Sequence, residues 1–442
     1  MFKKVLIANR GEIALRIHRA CKDMGIKTVA VHSTADENSM HVRLADESVC
    51  IGPAIVKDSY LNIPSIISAA TIANVDAIHP GVGLLSENAE FAKIVNDHGF
   101  IFIGPKQEHI HIMGNKILAK RKAEEIGIPI LPGSKGDVKT YQEAIKIAKE
   151  IGFPILIKAT NGGGGRGIKK VSSIEELKQK FFIAKAEAEQ NFGSDSVYIE
   201  KYLTHPRHIE IQVLSDKFGN VFSLGERDCS IQRRNQKLIE ECPSPILNDS
   251  ERKSISEICV KAMKKLDYEN IGTIEFLYQD GEFFFIEMNT RLQVEHPITE
   301  MVYGIDLVKE QISVAYGNEV SFIDKNLTVN GHSIECRINA ENPESFFPSS
   351  GNVRNYHVPG GPGIRIDSGL YNGLKITNYY DGLIAKLIIH GKNREECLLR
   401  LNRALLEFVI DGIDTTIPLY KRIIKEEQFL SANYDINWLE NL

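Results

Sequence analysis

Between Thr273 and Glu300 the chain reads TIEFLYQDGEFFFIEMNTRLQVEHPITE, a stretch dense in acids, amides and an arginine. Two β-type runs, Thr273–Tyr278 and Glu282–Met288, flank Gln279-Asp280-Gly281, where Gly281 can take the left-handed conformation that closes a three-residue hairpin loop. An odd loop length would bring Glu275 and Glu287 to one face, and alternation would carry Asn289 and Arg291 onto it. Two bare carboxylates about 6 Å apart repel by roughly 3 kcal/mol at an effective dielectric of 20, so such a pair needs a proton or a cation. With the amide oxygen of Asn289 added, these hard ligands suit Mg²⁺, which takes one or two carboxylates and leaves other positions to nucleotide phosphates and water. An edge hairpin with a wet outer face accounts for the same alternation. Arg291-Leu292-Gln293-Val294-Glu295-His296-Pro297 is nonetheless too densely functional for an ordinary strand exit.

Other chemistry-bearing residues lie upstream and downstream. Phe153–Lys158 reads as a strand ending in a lysine, followed by Ala159-Thr160-Asn161 and a glycine run, Gly162–Gly165, then Arg166-Gly167. Such a loop leaves N–H groups free to wrap an anion, or it is a flexible turn. It is not a Walker A loop, because the lysine precedes the glycines. Lys116 near a helix start is either a phosphate contact or a solvated lysine. His208, Glu210 and Gln212 alternate with aliphatics, so one face of that strand is core and the other is cleft or water. His205 and His208 point to opposite faces of a strand, which argues against zinc. The charged segment Glu226–Lys237 is a solvated loop or an anion site, and His332–Asn339 reads as a strand with Glu335 and Arg337 on one face.

These residues need a scaffold of some size. The chain has 442 residues, enough for two or three domains. A formal charge of −5 argues against nucleic acid as a main partner. No run approaches the roughly 18 apolar residues of a membrane span. The N-terminus goes straight into the apolar run Val5–Ala8, without a transit or signal segment, and the seven cysteines are scattered, so a reduced cytoplasmic setting is expected. Residues 3–8, a turn at Asn9–Glu12, a helix over Ile13–Met24 and a strand over Thr28–His32 make a βαβ start, repeated loosely through Val75–His79 and Phe100–Gly104. That predicts a parallel sheet with helices on both faces. Only Gly11 stands in the first turn, so no dinucleotide fingerprint is present. Arg16 and Arg19, one helical turn apart, fit a solvated face or a contact between protomers. Helices are predicted over Asn115–Ile126, Ser172–Gln190, Glu251–Leu266 and Asn393–Val409, with a compact α+β third domain at the end.

Taken together, Ile7–Ala14, Ser86-Glu87-Asn88, the Lys158–Gly167 loop, Glu200-Lys201-Tyr202, Arg227–Ser230 and Glu287–His296 resemble biotin carboxylase, the ATP-grasp subunit of acetyl-CoA carboxylase, nearly end to end. The resemblance implies an α/β and α+β architecture: a Rossmann-like domain over 1–112, an ATP-grasp domain over 113–332 with a mobile lid near 131–203, and a C-terminal domain over 333–442. It implies that Lys116, Lys158, His208, Asn235 and Glu200-Lys201-Tyr202-Leu203 hold ATP under a lid carrying Gly164 and Gly165. Glu275, Glu287 and Asn289 would carry two Mg²⁺ or Mn²⁺ ions, the two acids also facing the nucleotide. Lys237, Arg291, Gln293 and Val294 would seat hydrogencarbonate, Glu295 would take its proton, and Arg337 would face biotin, with Arg291 and Glu295 the catalytic pair. Biotin would arrive on a separate carrier protein, and carboxyltransferase subunits and a homodimer are the implied partners, with no nucleic acid and no membrane.

The chain departs from the family in places. Asn235 replaces a usual histidine and cannot become cationic. Val82, Leu84 and Pro362 stand where aromatics are common. Ala262-Met263-Lys264-Lys265 looks like a biotinyl-lysine motif, but it falls within a predicted amphipathic helix. Other ATP-grasp ligases that make acyl phosphates share the metal carboxylates without the Arg291–His296 string. Intact Glu275, Glu287, Asn289, Arg291 and Glu295 speak against a non-catalytic protein with a decayed site, and Asn235 is the one hint in its favour.

Overall fold

The computed structural model describes residues 1–160, 167–234, 236–323, 327–440 and 442. Gly164, Gly165 and Asn235, all expected at the nucleotide, lie outside that set. The chain divides into two compact units, one of Met1–Ile128, Arg207–Leu277 and Ile286–Leu442, the other of Pro129–Pro206 with Tyr278–Phe285. Among the described residues no helix is long and apolar enough to cross a membrane.

The first unit opens with a parallel sheet whose strands run in the order Glu47–Gly52, Lys27–Ser33, Lys4–Ile7, Ala77–His79, Ile101–Phe102. Val5 and Ile7 pack with Ile13 and Ile17 of helix Gly11–Asp23 on one face, while Leu6 and Ala8 join Val29, Val31 and Phe91 on the other. Burial on both faces is why these strands read as apolar runs without alternation. The Asn9 amide donates to the Pro80 and Val82 carbonyls at 2.7 and 2.9 Å and so ties two strand ends together. At Gly81, with φ +68°, a Cβ would fall 2.7 Å from that amide, so the turn needs glycine. Arg16 is not solvated: it is 5% exposed and bonds Glu300 and Asp306, whereas Arg19 is exposed.

The larger sheet has eight strands in the order Glu282–Asn289, Asn270–Gln279, Arg207–Ser215, Val221–Arg233, Gln236–Cys242, His332–Asn339, Leu383–Gly391, Ile364–Ser368. Strand Gln236–Cys242 pairs antiparallel with His332–Asn339, so one sheet runs from the central segment into the C-terminal one, whose core gathers Ile334, Leu387, Leu401, Tyr420 and Trp438. Two sequence expectations change here. Glu226–Lys237 is no loop but mostly the buried strand Val221–Arg233. The polar face of Arg207–Ser215 is not wet either, since every residue of that strand is buried.

The hairpin turn also differs from expectation. Strands Asn270–Gln279 and Glu282–Asn289 leave two turn residues, Asp280 and Gly281, at φ 55° and 86°, the left-handed pair that matches strand twist. In an unbroken ladder a two-residue turn sets Glu275 opposite Ile286, so loop length is not what brings Glu275 and Glu287 together. Ala262 and Met263 are buried in helix Asp249–Leu266, whose start is a capping box between Asn248 and Glu251. A biotinylated lysine needs an exposed turn, and this helix offers none.

In the second unit, strands Ile168–Val171, Ile155–Ala159 and Val197–Lys201 form an antiparallel sheet backed by helices Tyr141–Ile151 and Ile174–Phe192. Ile155, Ile157, Val197 and Ile199 face the core with Leu177 and Phe181. Alternation therefore turns Lys158 and Glu200 to the opposite face.

Candidate functional site

Lys237 sits at the centre of the first unit's polar cluster. Its ammonium reaches Glu210 at 2.6 Å, Glu275 at 2.9 Å and Glu295 at 2.7 Å, which uses all three of its N–H donors. Burial alone would lower its pKa, but the three carboxylates outweigh it and hold the lysine well above its ordinary range. The acids gain in turn. Burial would raise Glu295, yet Lys237, Arg337 and Arg227 keep its carboxyl well below the usual value. Glu275 is also held down against burial, by Lys237 and His208.

Beneath this group lies Arg227, fully buried, donating to Glu210, to Gln212 at 2.7 Å, to Thr299 at 3.0 Å, to Thr273 at 3.3 Å and to Gln293 at 2.6 Å. Because Arg227 occupies the Gln293 carbonyl, the Gln293 amide points its N–H at Glu275, 2.7 Å away. Asn289 likewise donates to Glu275 at 2.7 Å, and its carbonyl, expected as a metal ligand, accepts from Arg291 at 2.9 Å. His208 completes the set at 2.8 Å from the second Glu275 oxygen. One carboxylate is thus surrounded by four donors from three segments of the chain.

Arg291 is clamped by Asn289 and by Glu87, 2.8 Å from its Nε. Arg337 runs between Glu240, at 2.6 Å from its Nε, and Glu295, at 3.0 Å from its Nη2. The Val294 carbonyl accepts from the fully buried Lys386 at 2.9 Å, which fixes the peptide just before Glu295. Glu210, Arg227, Glu87, Glu240 and Lys386 have no role that sequence reasoning assigns. Glu87 and Arg227 carry a signal there as members of motifs that bear the resemblance, and Glu210 by its place beside His208 on the polar face of one strand; Glu240 and Lys386 carry none. The partners that explain the others come from remote segments.

Glu287 behaves differently from its neighbours. It is partly buried and makes no hydrogen bond or ion pair among the described residues. Burial and then the charge of Glu275 raise its carboxyl, with Lys116 and Lys237 pulling the other way. A hard cation between Glu275 and Glu287 would relieve that repulsion, so the donor set fits a divalent metal ion. Two further groups bring ligand atoms within 4.8 Å, His208–Glu210–Glu275 and Glu210–Cys229–Glu295. Lys237 already bridges the acids of both. Lys116 itself is exposed at the start of helix Lys116–Ile126.

In the second unit Lys158 meets Glu200 at 2.8 Å, Lys201 caps the Gly152 and Phe153 carbonyls at 3.2 and 3.0 Å, and Lys170 lies 4.2 Å from the Tyr202 ring centre. Leu203 is buried.

Family models match along the chain: "Biotin carboxylase, N-terminal domain" over residues 1–110, "Carbamoyl-phosphate synthase L chain, ATP binding domain" over 115–323 and "Biotin carboxylase C-terminal domain" over 335–441. The chain is 52% identical over 443 residues to the biotin carboxylase of Allochromatium vinosum, covering 100% of this chain and 99% of the relative. A pyruvate carboxylase subunit of Methanothermobacter thermautotrophicus is 50% identical over 430 residues, 97% of this chain and 88% of that one. Among solved structures, the biotin carboxylase domain dimer of Hydrogenobacter thermophilus 2-oxoglutarate carboxylase, in complex with MgADP, ADP and bicarbonate, superposes with a TM-score of 0.90 at 47% identity, covering 100% of this chain and 98% of that one. With three consecutive domain models and half of all positions shared over the full length, the chain belongs to the biotin carboxylase family of ATP-grasp ligases.

Proposed function

We propose that the chain carboxylates biotin held on a separate carrier protein, consuming ATP and hydrogencarbonate and releasing ADP and phosphate. The observation that carries this reading is Glu295, a buried carboxylate bridged by Lys237 on one oxygen and Arg337 on the other. Bound that way, Glu295 is a weak base at rest. An anionic substrate entering between the cations draws them off the carboxylate, raises its proton affinity and so couples binding to proton removal. Lys237, Arg291, Gln293 and Val294 are the proposed hydrogencarbonate contacts, guanidinium and ammonium groups suiting a carbonate-like anion.

Lys116, Lys158, His208 and Glu200-Lys201-Tyr202-Leu203 are the proposed nucleotide contacts, with Gly164, Gly165 and Asn235 carried over from the resemblance. A divalent ion, Mg²⁺ or Mn²⁺, held by Glu275, Glu287 and Asn289 would neutralise charge on the phosphoryl oxygens. Attack of the deprotonated hydrogencarbonate on the γ-phosphoryl gives carboxyphosphate, which breaks down to CO₂ and phosphate. Phosphate then takes the biotin N1′ proton, Arg337 stabilises the enolate oxygen, and N1′ attacks the CO₂ carbon to form the N–C bond of carboxybiotin.

The test is ADP release with and without hydrogencarbonate and free biotin. Turnover that needs hydrogencarbonate and rises with biotin supports the reading; turnover indifferent to both rejects it. The finer assignment is to acetyl-CoA carboxylase, the chain acting in the cytoplasm as a homodimer and supplying carboxyltransferase subunits for malonyl-CoA and fatty-acid synthesis. The names of the Methanothermobacter and Hydrogenobacter proteins favour a second reading, in which the carrier serves a 2-oxo acid carboxyltransferase. Carboxylation rates on carriers of the two kinds separate them.

A further inference from the structure

Next to the Glu295–Arg337 pair stand two acids for which the mechanism has no use. Glu240 and Glu335 are directly opposed partners in the ladder between strands Gln236–Cys242 and His332–Asn339, and both are 0% exposed. Among the described residues, only Glu240 Oε1 of their four carboxylate oxygens has a hydrogen-bond partner, Arg337 Nε; Glu240 Oε2 and both oxygens of Glu335 have none. Like charges placed opposite each other destabilise a ladder even in water. A carboxylate stripped of water and of hydrogen bonds takes up a proton sooner than it keeps its charge.

The surrounding charges say which acid holds the proton. Around Glu240 lie Arg337, Lys237 and Glu295; around Glu335 lie Lys386, Glu240, Arg337 and Glu295. Lys386 is already committed to the Val294 carbonyl and, at 3.3 Å, to Glu12. Glu240 therefore has a cation in contact and Glu335 does not. Burial, opposed by Arg337, lifts Glu240 to about 7, and burial lifts Glu335 well above its ordinary range.

We propose that Glu240 and Glu335 form one singly protonated pair, Glu335 the neutral acid and Glu240 the anion, and that Glu240 is thereby the positioning residue that fixes Arg337 against Glu295. The guanidinium is held at both ends, Nε on Glu240 and Nη2 on Glu295. A second full charge at Glu335 would pull Arg337 away from Glu295, and the proton prevents this. The role of Glu240 in turnover rests on the functions proposed above for Arg337 and Glu295; the protonation of Glu335 does not.

Infrared difference spectra between the parent protein and Glu335→Gln at pH 7.5 test the pair directly. The parent is expected to carry the carbonyl stretch of a neutral carboxylic acid, and Glu335→Gln is expected to lose that intensity. A parent without the band, or a variant that keeps it undiminished, overturns the proposal. Kinetics supply the second readout. Glu240→Gln takes the anion from Arg337 and is expected to lower biotin-dependent kcat about tenfold or more, with the KM for ATP within about twofold. Glu335→Gln replaces one neutral group by another and is expected to cost less than about threefold. Equal losses in the two variants sink the positioning role. If the parent itself shows no biotin-dependent turnover, the functional reading fails, and the infrared band still decides the state of the pair.

Discussion

The two places proposed to meet substrate are built by opposite means. Around Lys237 the acids Glu210, Glu275 and Glu295 and the cation Arg227 are buried, and single side chains serve several partners at once: Lys237 three carboxylates, Arg227 five side chains, Glu275 four donors. Among the described residues of the second unit the corresponding contact is the ion pair of Lys158 with Glu200, on a three-stranded sheet, with the two side chains 24% and 8% exposed. Buried charges with one removable partner are costly to disturb, whereas a partly wet pair contributes little. The contrast assigns rigidity to the carboxylation centre and adaptability to the segment proposed for the nucleotide.

If the two regions differ as described, substitutions in them should differ in cost. The largest effect is expected from Glu295→Gln, which removes the proposed base and keeps the shape. Hydrogencarbonate-dependent ADP release should fall about 10²- to 10⁴-fold, the range of general-base contributions. Arg227→Met comes next, in stability: it leaves Glu210 with Lys237 as its one cation among the described residues and removes the donor from the Gln212 and Gln293 carbonyls, and should cost about 3–5 kcal/mol in denaturant unfolding. A loss near zero would mean that the cluster is as loosely coupled as the Lys158 pair.

Acid should also separate the units. His41 of the first unit is buried, its Nε2 without a partner among the described residues, and burial pushes its pKa down to about 4. The unfolded chain protonates this group near 6.5 and the folded chain only near 4, so stability is complete above about 6.5 and lost as pH falls toward 4. That loss is on the order of 3 kcal/mol. Amide exchange in Lys27–Ser33 should accelerate over that window more than exchange in Ile155–Ala159, and His41→Leu should flatten the difference. The smallest effect on stability is expected from Glu200→Gln, under about 1 kcal/mol by thermal unfolding, although the KM for ATP should rise.

What could be read from the sequence follows the same division. The βαβ start, two of the three strands of the small second-unit sheet and the long helices were legible because each is written in neighbouring residues, as apolar runs or helical spacing. The Arg291–His296 string was legible as a motif. Strand Val221–Arg233 was not, because its charged residues look wet until Glu210, Gln293 and Thr299, up to 72 positions away, are brought to Arg227. Arg16 misled in the same way, its partners lying 284 and 290 residues downstream. The nearness of Glu275 to Glu287 was anticipated for a reason the two-residue turn does not support.

The pairing of Gln236–Cys242 with His332–Asn339 has a consequence for recombination within the family. A chain cut or grafted between these strands would bare a long sheet border, an invitation to aggregate. It would also part Glu240 from Arg337. C-terminal segments exchanged among relatives should thus transfer cleanly only when both strands travel together, although the family models draw a boundary between them.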